Sequence, residues 1–263
     1  DLIISDITYG ETPSPSAVAK IGTPTYTYAT EENGTYTSAV PITAGTYFVK
    51  ATVSYGGERL GAIKKFEIEK ADSEIAFVNG FSLDKQYDGN TVTIGSDDLT
   101  KTGSTNTVTF TWYKKDGNDW TKLDESPVNA GNYKVVASVE ADANYKGATA
   151  EKEFSISQTT NEWTSELSIA DWTYGQTAST PVATAKYGSD KKDGTYTGKV
   201  PTEAGTWYVK ATVEGNENYT GMVATDSFEI SKAQPSFTLP KDLVIKQGDA
   251  LSTVSLPDGF TWV

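Results

Sequence analysis

One ten-residue phrase occurs three times in this chain: "AGTYFVKATV" at 44–53, "AGNYKVVASV" at 130–139 and "AGTWYVKATV" at 204–213. Internal repetition outranks length as a guide to architecture. Positions 34–52 and 194–212 share thirteen of nineteen residues without a gap. The second and third copies also keep step downstream, where Gly131, Tyr145, Gly147 and Phe154 answer Gly205, Tyr219, Gly221 and Phe228. The chain is therefore a threefold duplication. Boundaries are expected at 1–70, 71–158 and 159–232, with 233–263 left over.

The phrase has a period of two. Tyr47, Val49, Ala51 and Val53 fall on one face of an extended strand, and Phe48, Lys50 and Thr52 on the other. The Ala-Gly before it supplies a tight entry turn. Pro41, Pro127 and Pro201 stand ahead of that turn, where a missing N–H costs nothing. The remainder of each copy is short Thr-, Val- and Tyr-rich runs separated by Gly-bearing turns such as "EENG", "KDGND" and "KKDG". No stretch has a useful helical period. Many short strands without helices predict an all-β chain of tandem immunoglobulin-like β-sandwiches.

Tyr47 and Val49 stand at the spacing of the tyrosine and second cysteine of an immunoglobulin strand F. Tyr133 and Val135 repeat it, and Trp207 and Val209 repeat it with a larger ring. Tyr28 and Trp112 are the candidate core aromatics of the preceding strand. Apolar packing must replace the disulfide, because the chain has no cysteine. Linkers this short predict a semi-rigid row, with three sandwiches spanning on the order of 100 Å at ~3.3 Å per strand residue.

Composition narrows the function. With neither Cys nor His, thiolate sites, serine triads and most metallohydrolase centres are excluded. A net charge of −13 repels nucleic acid and anionic lipid. No apolar run approaches the ~20 residues of a membrane helix, and residues 1–10 lack the pattern of a signal peptide. The tail 233–263, with turn signals at "QGD" and "PDG", reads as the start of a fourth domain cut off at Val263. A hairpin cap on the third copy is the alternative.

"ITYG" at 7–10, "YDGN" at 87–90 and "WTYG" at 172–175 resemble the openings of the YDG and MBG repeat families. These families occur in large surface proteins of Gram-positive bacteria. The later pattern VP-x-x-AG-x-(Y/W)-x-V-x-A-x-V, then NY-x-G and F-x-I, is matched in the third copy and, with Ser126 for the first Val, in the second. In the first copy "ERLG" replaces NY-x-G. The resemblance implies immunoglobulin-like sandwiches, an extracellular setting and no catalytic residues.

Little chemistry is left to place. The carboxylate pairs Glu31/Glu32, Asp97/Asp98, Asp190/Asp193 and Glu214/Glu217 lie in expected turns, where acidic residues are solvated. An enzyme is not expected. Calcium needs six to eight oxygens, and loops 116–119, 140–144 and 214–218 offer some; turn chemistry explains the same residues without an ion, and no cofactor is expected. Lys–Asn isopeptide bonds would need a buried lysine. Sugars stack on exposed rings, so Tyr113, Trp120, Trp163 and Trp172 are candidate ligand contacts. The leading expectation is a monomeric, non-catalytic spacer of a cell-surface or secreted adhesin-like protein, whose partners are its neighbouring domains. The alternative is a module that grips a glycan or a host matrix protein.

Overall fold

The computed structural model describes the chain except residues 183–184, 189–193, 242 and 262, and describes 185–188 by backbone alone. The chain divides into two compact units. The first comprises Asp1–Thr160 with Gly215–Thr220, and the second Asn161–Glu214 with Gly221–Val263.

The first repeat holds β1 (Leu2–Ile3), β2 (Ile7–Thr8), β3 (Ser16–Ala17), β4 (Thr25–Ala29), β5 (Gly45–Tyr55) and β6 (Glu58–Glu69). The second holds β7 (Glu74–Phe77), β8 (Lys85–Gln86), β9 (Leu99–Thr102), β10 (Val108–Asp116), β11 (Asp119–Leu123), β12 (Gly131–Val139) and β13 (Ala148–Ser157). The third holds β14 (Trp172–Thr173), β15 (Ala185–Gly188), β16 (Tyr196–Thr197), β17 (Gly205–Val213) and β18 (Met222–Ser231).

The recurrent phrase is the central strand each time. The sheets run β2-β6-β5-β4, β11-β10-β12-β13-β8 and β14-β18-β17-β15-β16. In each, a two-residue strand pairs parallel with the last long strand, whereas the long strands are antiparallel. The order β13-β12-β10-β11 is that of strands G, F, C and C′ of the immunoglobulin plan. The facing layer is small: β1 pairs β3, and β7 pairs β9. The chain passes from Leu123 to Gly131 without another strand, so the strands that complete the second layer of a full immunoglobulin sandwich are missing there. The repeats are therefore lopsided sandwiches, a consequence of being shorter than the ~100 residues of that plan.

Each repeat has its own core. Val49 packs with Tyr28, Phe66 and Ile68; Val135 with Trp112, Tyr133, Phe154 and Ile156; Val209 with Trp172, Phe228 and Ile230. The three valines at the cysteine position are fully buried, so apolar packing stands where a disulfide would. The Tyr133 ring folds back on its own strand and its hydroxyl donates to the Asn129 carbonyl (2.8 Å). The indole N–H of Trp207 donates to the Glu203 carbonyl (2.9 Å), and Tyr47 shares a hydrogen bond with Thr43 (2.7 Å). All three bonds reach back four residues, the tyrosine-corner geometry. In the second repeat the glycine is tightly packed: a Cβ at Gly131 would lie 3.1 Å from the Tyr133 hydroxyl.

Among the described residues of 233–263 there is no strand, only a short 3-10 turn at Leu251–Thr253 and an edge contact between Phe237 and Phe260. A strand-like stretch without a partner leaves its backbone unpaired, and the tail offers none. No helix among the described residues is long and apolar enough to cross a membrane.

Candidate functional site

The residues that recur without filling a core meet in two places. The first is the start of each long sheet. Asp6, Asp84 and Asp171 each accept, at 2.7 Å, the amide of a residue in the last long strand: Glu67, Ser155 and Glu229. Three residues later Tyr9, Tyr87 and Tyr174 donate their own amides to the carbonyls of Glu69, Ser157 and Ser231. This D-x-x-Y clip turns the chain and leaves a tyrosine ring at the end of the sheet. Gly10, Gly89 and Gly175 follow with positive φ, which a side chain at those positions would oppose.

The second place is the loop before the last strand. Asp142 Oδ1 accepts the amides of Asn144 and Tyr145, both at 2.9 Å, and Oδ2 accepts the Thr105 amide (2.9 Å). These bonds, led by that from Thr105, hold its pKa down at about 2. Asn216 repeats the Oδ1 pattern toward Asn218 and Tyr219 (2.9 Å each). A Cβ on Gly147 would meet the Val139 carbonyl oxygen at 2.9 Å, so only glycine closes this turn.

Within the first unit the two places meet. The Ala44 amide, in the first repeat's Ala-Gly, donates to Asn144 Oδ1 (3.0 Å). The linker residue Ala71 donates to the Asn144 carbonyl (3.0 Å) and accepts the Lys146 amide (2.8 Å). The Tyr145 ring stands edge-on to Tyr9 at 5.2 Å. Loop 215–220 makes the same set with the second repeat. Ala130 donates to Asn218 Oδ1 (2.8 Å), and Thr159 exchanges hydrogen bonds with Asn218 and Thr220 (2.9 and 3.0 Å). Tyr219 meets Tyr87 edge-on at 5.6 Å. Asn218 Nδ2 adds a bond to Asn129 Oδ1 (3.1 Å), and Glu217 pairs with Lys114 (2.7 Å). The motif called NY-x-G in the sequence is thus a clasp. Its asparagine takes the Ala-Gly amide, its tyrosine takes the tyrosine of the clip, and its backbone takes the linker.

The residues singled out for ligands lie elsewhere. Tyr113 and Trp120 share the outer face of the second repeat's sheet, through the pairings Tyr113–Lys122 and Lys115–Trp120. Both are half-buried, and Lys134 lies over both rings, at 5.4 and 5.2 Å. Trp163 is half-buried in the second unit. Trp172 is a core residue: it is buried and stacked on Phe228 at 4.8 Å. The structure therefore groups only Tyr113 with Trp120. It also gives the first repeat an open apolar hollow of about 630 Å³, lined by Leu2, Val18, Ile21, Val53, Tyr55 and Leu60. Val18 and Leu60 in it are exposed.

The acidic residues lie in turns. Asp116 and Asp119 flank a two-residue hairpin, Asp98 caps the Gly95 amide, and Glu31 and Glu32 accept hydrogen bonds through their carbonyls in another turn. Asp142 spends its oxygens on amides rather than offering them to a cation. Asp190 and Asp193 lie outside the described residues. No lysine is buried among the described residues.

Crystal structures with similarity include the N-terminal four immunoglobulin domains of Dscam1 isoform 9.44, 13% identical over 72% of this chain and 55% of that one, with a TM-score of 0.26. Drosophila N-cadherin EC1-4 is 8% identical over 88% of this chain and 73% of that one, with a TM-score of 0.29. No curated protein matches. A family model described as the MBG domain matches residues 76–160 and again 164–234, more than half of the chain, and both matched stretches run from the clip through the clasp loop. With its repeats and both recurring motifs accounted for in this way, the chain belongs to the MBG domain family.

Proposed function

We infer that this chain is a non-catalytic spacer of a surface protein, a series of small sandwiches whose work is to hold other domains at a distance. The observation that carries this reading is the clasp. The residues that recur most faithfully outside the cores are spent on fastening one repeat to the next, as Asn144 and Tyr145 fasten the second repeat to the first. A spacer needs its joints fixed and its faces free. MBG repeats are typical of surface proteins, and the acidic surface suits a soluble array. MBG and immunoglobulin-like domains are typically non-catalytic, and the reading includes no reaction.

A second reading rests on the outer face of the second repeat, where Tyr113 and Trp120 lie among Lys115, Lys122 and Lys134. There the chain would grip an acidic or neutral glycan or a matrix protein. The lysine over both rings opposes it, since a stacking sugar must first displace that cation, which is worth ~0.5–1 kcal/mol per ring at an exposed site. Screening the chain against glycans, mucin and matrix proteins, with and without calcium, separates the two. The spacer reading expects no saturable binding; binding lost in Trp120→Ala would replace it with the second.

A further inference from the structure

The clasp is made of two complementary halves, and the third repeat carries a receiving half that no loop among the described residues fills. A receiving half consists of the clip tyrosine, the Ala-Gly amide and the linker residue after the last strand. In the first repeat these are Tyr9, Ala44 and Ala71; in the second, Tyr87, Ala130 and Thr159. The third repeat has Tyr174, Ala204 and Ala233 at the matching positions, and the clip that presents the tyrosine is made as in the other two, with Tyr174 donating to Ser231 (2.9 Å) and Asp171 accepting from Glu229 (2.7 Å). Tyr9 and Tyr87 are half-buried, whereas Tyr174 is 52% exposed. Among the described residues the Ala204 amide has no hydrogen bond, and neither backbone group of Ala233 has one. Glu203 takes the position of Asn129, so a carboxylate stands where an acceptor for the asparagine NH₂ is wanted.

The inserting half is absent at the other end. Where the second and third repeats have Asn144-Tyr145 and Asn218-Tyr219, the first closes β5 onto β6 with a tight Gly56-Gly57 turn and has Glu58-Arg59. The third repeat thus carries a receiving half, and the first carries no inserting half.

We propose that the end of the third repeat formed by Tyr174, Ala204 and Ala233 is a docking surface for the Asn-Tyr-x-Gly loop of a further MBG repeat downstream of Ala233 in the same polypeptide. The linker residue is itself a third of the surface, so the docked repeat must follow it in the same polypeptide. A second copy of this chain has no loop to offer, because both of its own are engaged. The proposal holds whether or not the row acts as a spacer.

Amide exchange followed by NMR tests it. In the 263-residue chain the Ala44 and Ala130 amides are expected to exchange at least tenfold more slowly than Ala204. A chain in which everything after Gln234 is replaced by a second copy of 161–234 should slow Ala204 at least tenfold. Asn218→Ala in the added copy should abolish that slowing. Protection of the added copy's Val209 amide shows that it folds, and a second extended chain with residues 73–158 in the same place supplies the loop as Asn144-Tyr145-Lys146-Gly147. Fast exchange at Ala204 in both extended chains overturns the proposal. So does an Ala204 as slow as Ala130 in the 263-residue chain, or an Ala204 that slows with protein concentration, which would assign the surface to a second molecule.

Discussion

Tyr133 shows how much one position carries. Its ring is almost wholly buried against Phe154, and its hydroxyl ties the strand to the turn four residues back. Burial pushes the phenol's pKa up, so it stays a donor at ordinary pH. Tyr133→Ala should cost roughly 3 kcal/mol, as for a large core aromatic, and Tyr133→Phe about 1 kcal/mol for the hydrogen bond alone. Chemical denaturation measures both, and equal costs would mean that the hydroxyl, not the ring, holds the strand. Gly147→Ala should destabilise the clasp loop, because its Cβ would sit 2.9 Å from the Val139 carbonyl oxygen. The same melts should show a clear loss, and an unchanged midpoint would mean the loop gives way freely. The strand-F tyrosine and valine were legible because spacing and period alone reveal them. Trp172 was not, because an aromatic beside a turn signal reads equally as a ligand contact or as core, and only the Phe228 stack decides it.

The loop before each last strand is built on one side-chain acceptor, and the two copies differ in its charge. Asp142 is a carboxylate and Asn216 an amide, yet both take the next two loop amides at 2.9 Å. The folded pKa of Asp142, about 2, lies below its ordinary 3.8. A depressed carboxylate stabilises fully above the ordinary value and stops doing so as pH falls through the folded one. The Tyr145 amide should therefore lose exchange protection between about pH 4 and pH 2 while the Tyr219 amide keeps it. Asp142→Asn should keep the loop and remove the acid response. Equal acid sensitivity at both tyrosines would show that something other than this carboxylate opens the loop. The sequence displayed these loops as acidic, Asn-rich turns, which fits a cation site as well as a capped turn. What separates the two is where the oxygens point, and residue spacing does not contain that.

At the scale of the whole molecule the repeats, the cores and the all-β architecture were readable, because duplication, a period of two and missing cysteines are properties of the sequence itself. The thin second layer was less so: a strand of two residues leaves hardly any pattern. The clasp was visible only as a recurring NY-x-G, since its partners Ala44 and Tyr9 lie a hundred residues or more away in sequence. Its strength is modest piece by piece, with about 1 kcal/mol for the Asn144 hydrogen bond and ~0.5–1.5 kcal/mol for the ring pair. Asn144→Ala with Tyr145→Ala should therefore loosen the joint without unfolding either core.

Residual dipolar couplings on the full chain test this directly. The account predicts that residues 1–70 and 71–158 fit one alignment tensor in the native protein and require two in the Asn144→Ala, Tyr145→Ala variant. Two tensors in the native protein, or one in the variant, would contradict it.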